Sequence, residues 1–235
     1  MENSIVYLKG DIFSSPAEVI VNTVNTVGVM GKGLAAEFKK RYPLMFKYYK
    51  NFCDNKQFSV GQLWIFDKAE DYRILLFPTK KHWRGKSKIE YIDAGLKKFV
   101  DIYEQKKISS IAFPPLGCGL GGLNWEKDVQ PLMEKYLSSL PVKIYIYLDT
   151  LNVTITDKNV DSQNSLQEML NSIKDKDIFF ADNEELKNLD LALLCNSGYL
   201  LKILIQKDDK FFEGFQVNGG MIRKLETKTV QTTLF

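Results

Sequence analysis

Strand-like and helix-like patterns alternate through the first 150 residues, and that alternation confines the chain to the α/β class. Ile5-Val6-Tyr7-Leu8 reads as a strand and Val19-Ile20-Val21 as a second, short and buried one. Leu34, Phe38 and Tyr42 recur at i, i+4 and i+8, which predicts a helix from Gly33 to Tyr42, ended by Pro43. Leu63-Trp64-Ile65-Phe66 and Arg73-Ile74-Leu75-Leu76-Phe77 read as strands. Ser87 offers an N-cap with Glu90 three residues on, as in a capping box. The helix after it puts Ile89, Ile92, Leu96, Phe99, Val100 and Tyr103 on one face. A strand over 108–113, an amphipathic helix from near Asn124 and a last strand over 142–148 complete the pattern. The expected architecture is a three-layer α/β/α sandwich around a mixed sheet.

After Asp149 the texture changes. Residues 151–182 are rich in Asp, Asn, Ser and Lys, while Leu189 to Leu194 and Tyr199 to Ile205 are apolar, with a turn at Gly219-Gly220. The division expected is 1–149 as the main domain, 150–222 as a small α+β appendage, and 223–235 as a flexible tail.

Composition narrows the function classes. At 45% hydrophobic and 26% charged residues, the chain has enough apolar material for a core. No apolar run approaches a membrane span, and the first residues lack the pattern of a signal peptide, so a cytoplasmic protein with no membrane partner is expected. Cys53, Cys118 and Cys195 are too few and too scattered for a disulfide framework or a zinc site. His82 is the single histidine. No metal and no cofactor are implied. Residues 1–150 carry about +6 and the remainder about −3, which suits a polyanionic partner for the first part and equally a solvated surface of mixed charge.

Two glycine-rich segments stand where a strand gives way to a helix. The first is Gly28-Val29-Met30-Gly31-Lys32-Gly33, and the second Gly117-Cys118-Gly119-Leu120-Gly121-Gly122. Glycine lets consecutive backbone N–H groups turn toward an anion, and a helix N-terminus adds partial positive charge. Two such loops in one α/β unit suggest a diphosphate gripped from both sides; a turn with no ligand is the plain alternative for each. The second loop fits G-x-G-x-x-G, yet it comes late and follows Pro114-Pro115, unlike a dinucleotide fingerprint. The first is not a P-loop, because Gly33 follows Lys32.

Between them lies Phe77-Pro78-Thr79-Lys80-Lys81-His82-Trp83-Arg84-Gly85-Lys86. Cations interleaved with Trp and His suit phosphate contacts plus base stacking, or a basic surface loop with a packed Trp. A lysine beside other cations has a better nucleophile in its amine, which makes Lys80 and Lys81 candidates. Asp11, at the end of the first strand, has a carboxylate able to accept from an adenine amino group, or to form a turn. Asn22 and Asn25, just after the second strand, are suited to a sugar, a base edge or turn chemistry.

Val6 to Phe13 resembles the opening strand of a macrodomain, and three further segments, Val21 to Gly33, Phe77 to Arg84 and Pro114 to Leu123, resemble the signature of the DarG family. The resemblance covers roughly residues 4–148. DarG proteins are antitoxins that remove the ADP-ribose a toxin, DarT, places on thymine in single-stranded DNA. The resemblance therefore implies a DNA ADP-ribosyl glycohydrolase, with ADP-ribosylated single-stranded DNA as substrate and a DarT-like toxin as partner. Removal of ADP-ribose from protein carboxylates, or ADP-ribose reading without catalysis, are the alternatives.

By residue, it implies that Asp11 binds the adenine and that Ile12 belongs to the same ADP-ribose site. The backbone of Gly117, Cys118, Gly119 and Leu120 would cradle the diphosphate, and Gly31, Lys32 and Gly33 would close over the distal ribose. Asn22 would sit near the ribose and modified base, with Asn25, Thr79, His82, Trp83 and Arg84 toward the base and the DNA strand. Lys80 stands where the related terminal ADP-ribose protein glycohydrolases keep a catalytic lysine. Those enzymes also use an aspartate where this chain has Gly121, which leaves the general acid/base unassigned. The resemblance does not extend past about residue 150. Separately, Gln231-Thr232-Thr233-Leu234-Phe235 resembles the Q-x-x-L-F peptide by which bacterial replication and repair proteins dock on the sliding clamp.

Overall fold

The structure is a computed structural model, and it describes residues 5–149, 173, 177–180, 189, 191–196, 198–207 and 210–220. The chain divides into two compact units: Met1–Ile5 with Glu18–Ile146, and Val6–Ala17 with Tyr147–Phe235.

In the first unit the strands are β2 (Val19–Asn25), β3 (Trp64–Phe66), β4 (Arg73–Lys80), β5 (Ser110–Phe113) and β6 (Lys143–Asp149, which runs on into the second unit). Their order is β3-β4-β2-β5-β6. β4, β2, β5 and β6 are mutually parallel, and β3 is antiparallel to β4, so the sheet is mixed as expected. Val19, Ile20, Val21, Ile74, Leu75, Leu76, Ile111, Ala112 and Phe113 are fully buried, which is why these strands read as continuous apolar runs rather than alternations.

Helix α1 (Gly33–Arg41) packs on β2 and on α2 (Pro43–Asp54). Helix α3 (Ile89–Ile102) packs on β4 and on α4 (Gln130–Leu137), which is preceded by a π-helical turn, Trp125–Val129. Asn124 caps that turn, accepting from Lys127 N at 2.8 Å, so a helical start near Asn124 is observed.

Several local expectations are corrected. Pro43 ends α1 but also opens α2, where its missing N–H costs nothing at the first helical position. Met45, Tyr49 and Cys53, at i, i+4 and i+8, are the buried face of that unanticipated helix. β2 runs on to Asn25, so Asn22 and Asn25 lie within the strand rather than after it. β4 continues through Pro78 and Thr79 to Lys80. Pro78 is tolerated because β3 pairs only as far as Leu76, leaving that side of β4 unpaired, and the register with β2 shifts immediately beyond it, between Val24 and Asn25. Ser87 is not an N-cap: Lys88 precedes α3 in extended conformation, without a side-chain cap bond.

The second unit contains β1 (Ile5–Lys9, from Val6 on), β7 (Ile178–Phe180), α5 (Leu191–Asn196), β8 (Leu200–Lys207) and β9 (Lys210–Val217). Its strands run in the order β1-β8-β9-β7, each antiparallel to the next. Ile173, Phe179, Leu194, Leu200 and Val217 form its buried cluster. Gly219 and Gly220 are helical rather than turn residues. No helix among the described residues is long and apolar enough to cross a membrane. The tail, including Gln231–Phe235, lies outside the described residues.

Candidate active site

The second glycine loop has an asymmetric set of hydrogen bonds. Every carbonyl from Gly117 to Gly121 accepts one. Gly117 O takes Leu123 N at 3.1 Å, Cys118 O and Gly119 O share Gly122 N at 2.9 and 3.2 Å, and Gly121 O takes Ser87 N at 3.0 Å. Leu120 O accepts from the Lys80 ammonium. The N–H groups of Gly119, Leu120 and Gly121 make no hydrogen bond among the described residues. With its acceptors taken and its donors free, the loop presents partial positive charge suited to an anion. Its shape depends on glycine: Gly117 sits at φ +72°, and a Cβ at Gly121 would lie 2.0 Å from Gly117 O and 2.4 Å from Ser87 Oγ. An aspartate at 121 is therefore excluded by this loop, not merely missing from it.

Lys80, at the end of β4, reaches this loop. Burial lowers its pKa below the ordinary lysine value, because desolvation penalises the charged amine. Lys81 points elsewhere: its side chain is exposed, and its carbonyl accepts from Thr26 N at 3.2 Å and Thr26 Oγ1 at 2.8 Å. These bonds tie the residue after β2, just before the first glycine segment, to the basic loop.

The first segment is organised by Asn25. Its Oδ1 accepts from Val27 N at 3.1 Å, Val29 N at 3.2 Å and Tyr49 Oη at 3.3 Å, and its Nδ2 donates to Val29 O. The Asn25 amide is thus engaged by its own loop and by Tyr49, and Thr79 is buried within β4. Gly31, Lys32 and Gly33 are exposed, and Lys32 precedes α1 without a side-chain cap bond. The two glycine segments approach one another, since a Cβ on Gly33 would lie 3.5 Å from Leu120 Cδ1, and Leu120 itself is 69% exposed.

Asn22 differs from Asn25. It is 0% exposed, and among the described residues its Nδ2 has only the Met30 Sδ at 3.8 Å and its Oδ1 has no partner. An unpaired buried amide oxygen costs about 1–3 kcal/mol unless a ligand satisfies it. Beyond β4 the basic loop carries a stack of planar groups. The His82 and Trp83 rings lie 5.5 Å apart at 29°, and the Arg84 guanidinium is 4.5 Å from the Trp83 centroid. Trp83 is 45% exposed, so this stack faces solvent rather than the core.

Cys118 is half-buried, with its thiol on Leu116 O at 3.7 Å, and burial pushes its pKa up to about 11, away from reactive thiolate. Asp11 and Ile12 belong to the second unit, where Asp11 opens a short 3-10 turn, Ile12–Ser14, and its Oδ1 accepts from Phe13 N at 3.0 Å.

Two contributors escaped the sequence reading. Tyr49 donates its hydroxyl to Asn25 O at 2.8 Å from the unanticipated α2. Ser87 holds the second glycine loop through its N–H, with its own Oγ buried and without a partner among the described residues. Helical spacing would have found the first; nothing local marks the second.

A family model for the Macro domain matches residues 21–132. The DNA ADP-ribosyl glycohydrolase of Mycobacterium tuberculosis is 44% identical over 146 residues, which are 61% of this chain and 42% of that protein. The solved macrodomain of Mycobacterium tuberculosis DarG is 45% identical with a TM-score of 0.59, over 61% of this chain and 96% of that one. Thermosipho africanus DarTG, solved in complex with ADP-ribose, is 38% identical with a TM-score of 0.59, over 66% of this chain and 44% of that one. The fold and the loops define the class, and the comparisons agree with them: the chain belongs to the macrodomain family, in its DarG branch. It spans 42% of the length of the mycobacterial curated relative.

Proposed function

We propose that the protein is a DNA ADP-ribosyl glycohydrolase, which hydrolyses the N-glycosidic bond between ADP-ribose and thymine in single-stranded DNA. The observation that carries this reading is the amide-lined loop of Gly119, Leu120 and Gly121 with the Lys80 amine at its rim. Three unpaired donors suit a diphosphate, and an amine of lowered pKa beside them suits an electrophilic ribose carbon. The diphosphate would lie on residues 117–120, and residues 31–33 would close over the distal ribose. The orphan amide of Asn22 would accept from a ribose hydroxyl. Asp11 and Ile12 would recognise the adenine.

In the reaction, the bond from the anomeric carbon to the thymine nitrogen breaks, its electron pair and a proton go to the thymine, and water supplies the hydroxyl of the released ADP-ribose. Lys80 assists by attacking the anomeric carbon ahead of water or by countering the charge that develops during cleavage. The exposed stack of His82, Trp83 and Arg84 suits an unpaired base and its phosphate, which favours DNA over a protein carboxylate. Gly121 argues the same way, because the aspartate of the protein-directed class does not fit here.

A related protein of Thermosipho africanus is named a fusion of DNA ADP-ribosyl transferase and DNA ADP-ribosyl glycohydrolase, which supports an antitoxin role against a DarT-like toxin. The Q-x-x-L-F sequence at 231–235 supports docking on the sliding clamp. Side-by-side incubation with thymine-ADP-ribosylated oligonucleotide and glutamate-ADP-ribosylated protein tests the main reading. ADP-ribose release from the oligonucleotide is expected. Release from the protein alone, or binding of ADP-ribose with release from neither, overturns it.

A further inference from the structure

The second unit holds the Asp11 turn from both ends. Before the turn, β1 pairs with β8 at Leu8↔Ile205 and Lys9↔Leu204. Gly10 leaves no spare room there, since a Cβ on it would lie 3.2 Å from Ile203 Cγ2 and 3.6 Å from the Tyr147 ring. After the turn, Gln216 Nε2 donates to Ser14 O at 2.7 Å, across 202 residues of sequence. Gln216 is 0% exposed, and its Oε1 accepts from the Tyr147 hydroxyl, which fixes the amide so that Nε2 faces the turn. The turn itself is short: Ser14 N reaches Asp11 O at 3.0 Å, and Ser15 N reaches Ile12 O at 3.2 Å. Any displacement at Ser14 is therefore passed to Asp11 within one turn of chain.

A buried Gln in a β-strand is costly unless both ends of its amide are satisfied. Here both are, and the partner it serves is the turn carrying the carboxylate. Gln216 lies far beyond the residues 21–132 matched by the family model.

We propose that Gln216 is a positioning residue for adenine recognition, acting through Ser14 on the aim of Asp11. The proposal rests on the ADP-ribose reading given above. It makes the C-terminal segment of this chain part of nucleotide selectivity rather than an independent appendage.

The test is calorimetric binding to the full chain of ADP-ribose and of inosine diphosphate ribose, whose base carries a carbonyl in place of the amino group. For the wild type, a preference for ADP-ribose of about tenfold or more is expected from loss of one hydrogen bond to a charged acceptor. Gln216→Met keeps the side-chain length and removes the donor. It should cut that preference to about threefold or less, mainly by weakening ADP-ribose, because a misaimed carboxylate loses the bond only the amino group can make. Tyr147→Phe leaves Gln216 in place but unfixed, and should lower the preference in the same direction by a smaller factor, which keeps the test open if Gln216→Met does not fold. Equal weakening of both ligands would make Gln216 a packing residue and overturn the proposal, as would an unchanged preference in both variants. A wild type that binds ADP-ribose without preference overturns adenine recognition by Asp11 and this proposal with it, whereas a wild type that binds neither ligand overturns the functional reading as a whole.

Discussion

The duties proposed for Lys80 and Asp11 are opposite, and each answers to a different measurement. Burial lowers the Lys80 pKa, so its neutral amine becomes available at lower pH than on an exposed lysine, near 10.4. A nucleophilic amine then gives a turnover rate that rises with pH and levels off below that ordinary value. A rate independent of pH across the alkaline range would contradict the role. The role proposed for Asp11 is to accept rather than to attack. Asp11→Ala removes a charged acceptor, at a typical cost of about 1.5–3 kcal/mol, so ADP-ribose affinity should fall roughly ten- to a hundredfold in a calorimetric titration. Both residues stand out in the sequence, because each lies at a strand end beside a recognisable motif. The partners of Asn25 do not: Val27, Val29 and Tyr49 bond its amide, and only the fold brings Tyr49 to it.

The elements show a similar division. Glycine-rich turns between strand and helix are visible in sequence because few other residues can make them. The helix over Pro43–Asp54 was missed because proline was read as a stop, when at a first helical position it is also a start. The extension of β4 to Lys80 was missed because Pro78 looked like the beginning of a loop. That extension matters, since it places the lysine at the rigid end of a strand.

Two consequences are measurable at this scale. Gly95 of α3 lies against β4 so closely that a Cβ there would be 2.2 Å from the Phe77 ring. Gly95→Ala should destabilise the protein by about 1–3 kcal/mol in urea unfolding, despite the better helix propensity of alanine. On the basic loop, Trp83→Ala should slow turnover of modified oligonucleotide while leaving free ADP-ribose binding unchanged, since Trp83 is exposed and, among the described residues, stacked only on His82 and Arg84. An equal loss in both assays would make it a packing residue.

At the scale of the molecule, the class was readable because three long motifs fall in register within one α/β pattern. The partition into units was not. The sequence changes texture after Asp149, yet Val6–Ala17 clusters with the C-terminal residues, and the Asp11 turn with it. Such an arrangement depends on antiparallel pairing of β1 with β8, across nearly the whole chain, and no local pattern encodes a partner that far away.

The central claim is that this macrodomain removes ADP-ribose through the lysine at its second glycine loop, and a single-turnover assay on thymine-ADP-ribosylated single-stranded DNA tests it most directly. With Lys80→Ala compared against the wild type, the account predicts rapid ADP-ribose release by the wild type, none detectable from the variant, and closely similar affinity of both for free ADP-ribose. Release by Lys80→Ala at the wild-type rate, or no release by the wild type itself, would contradict it.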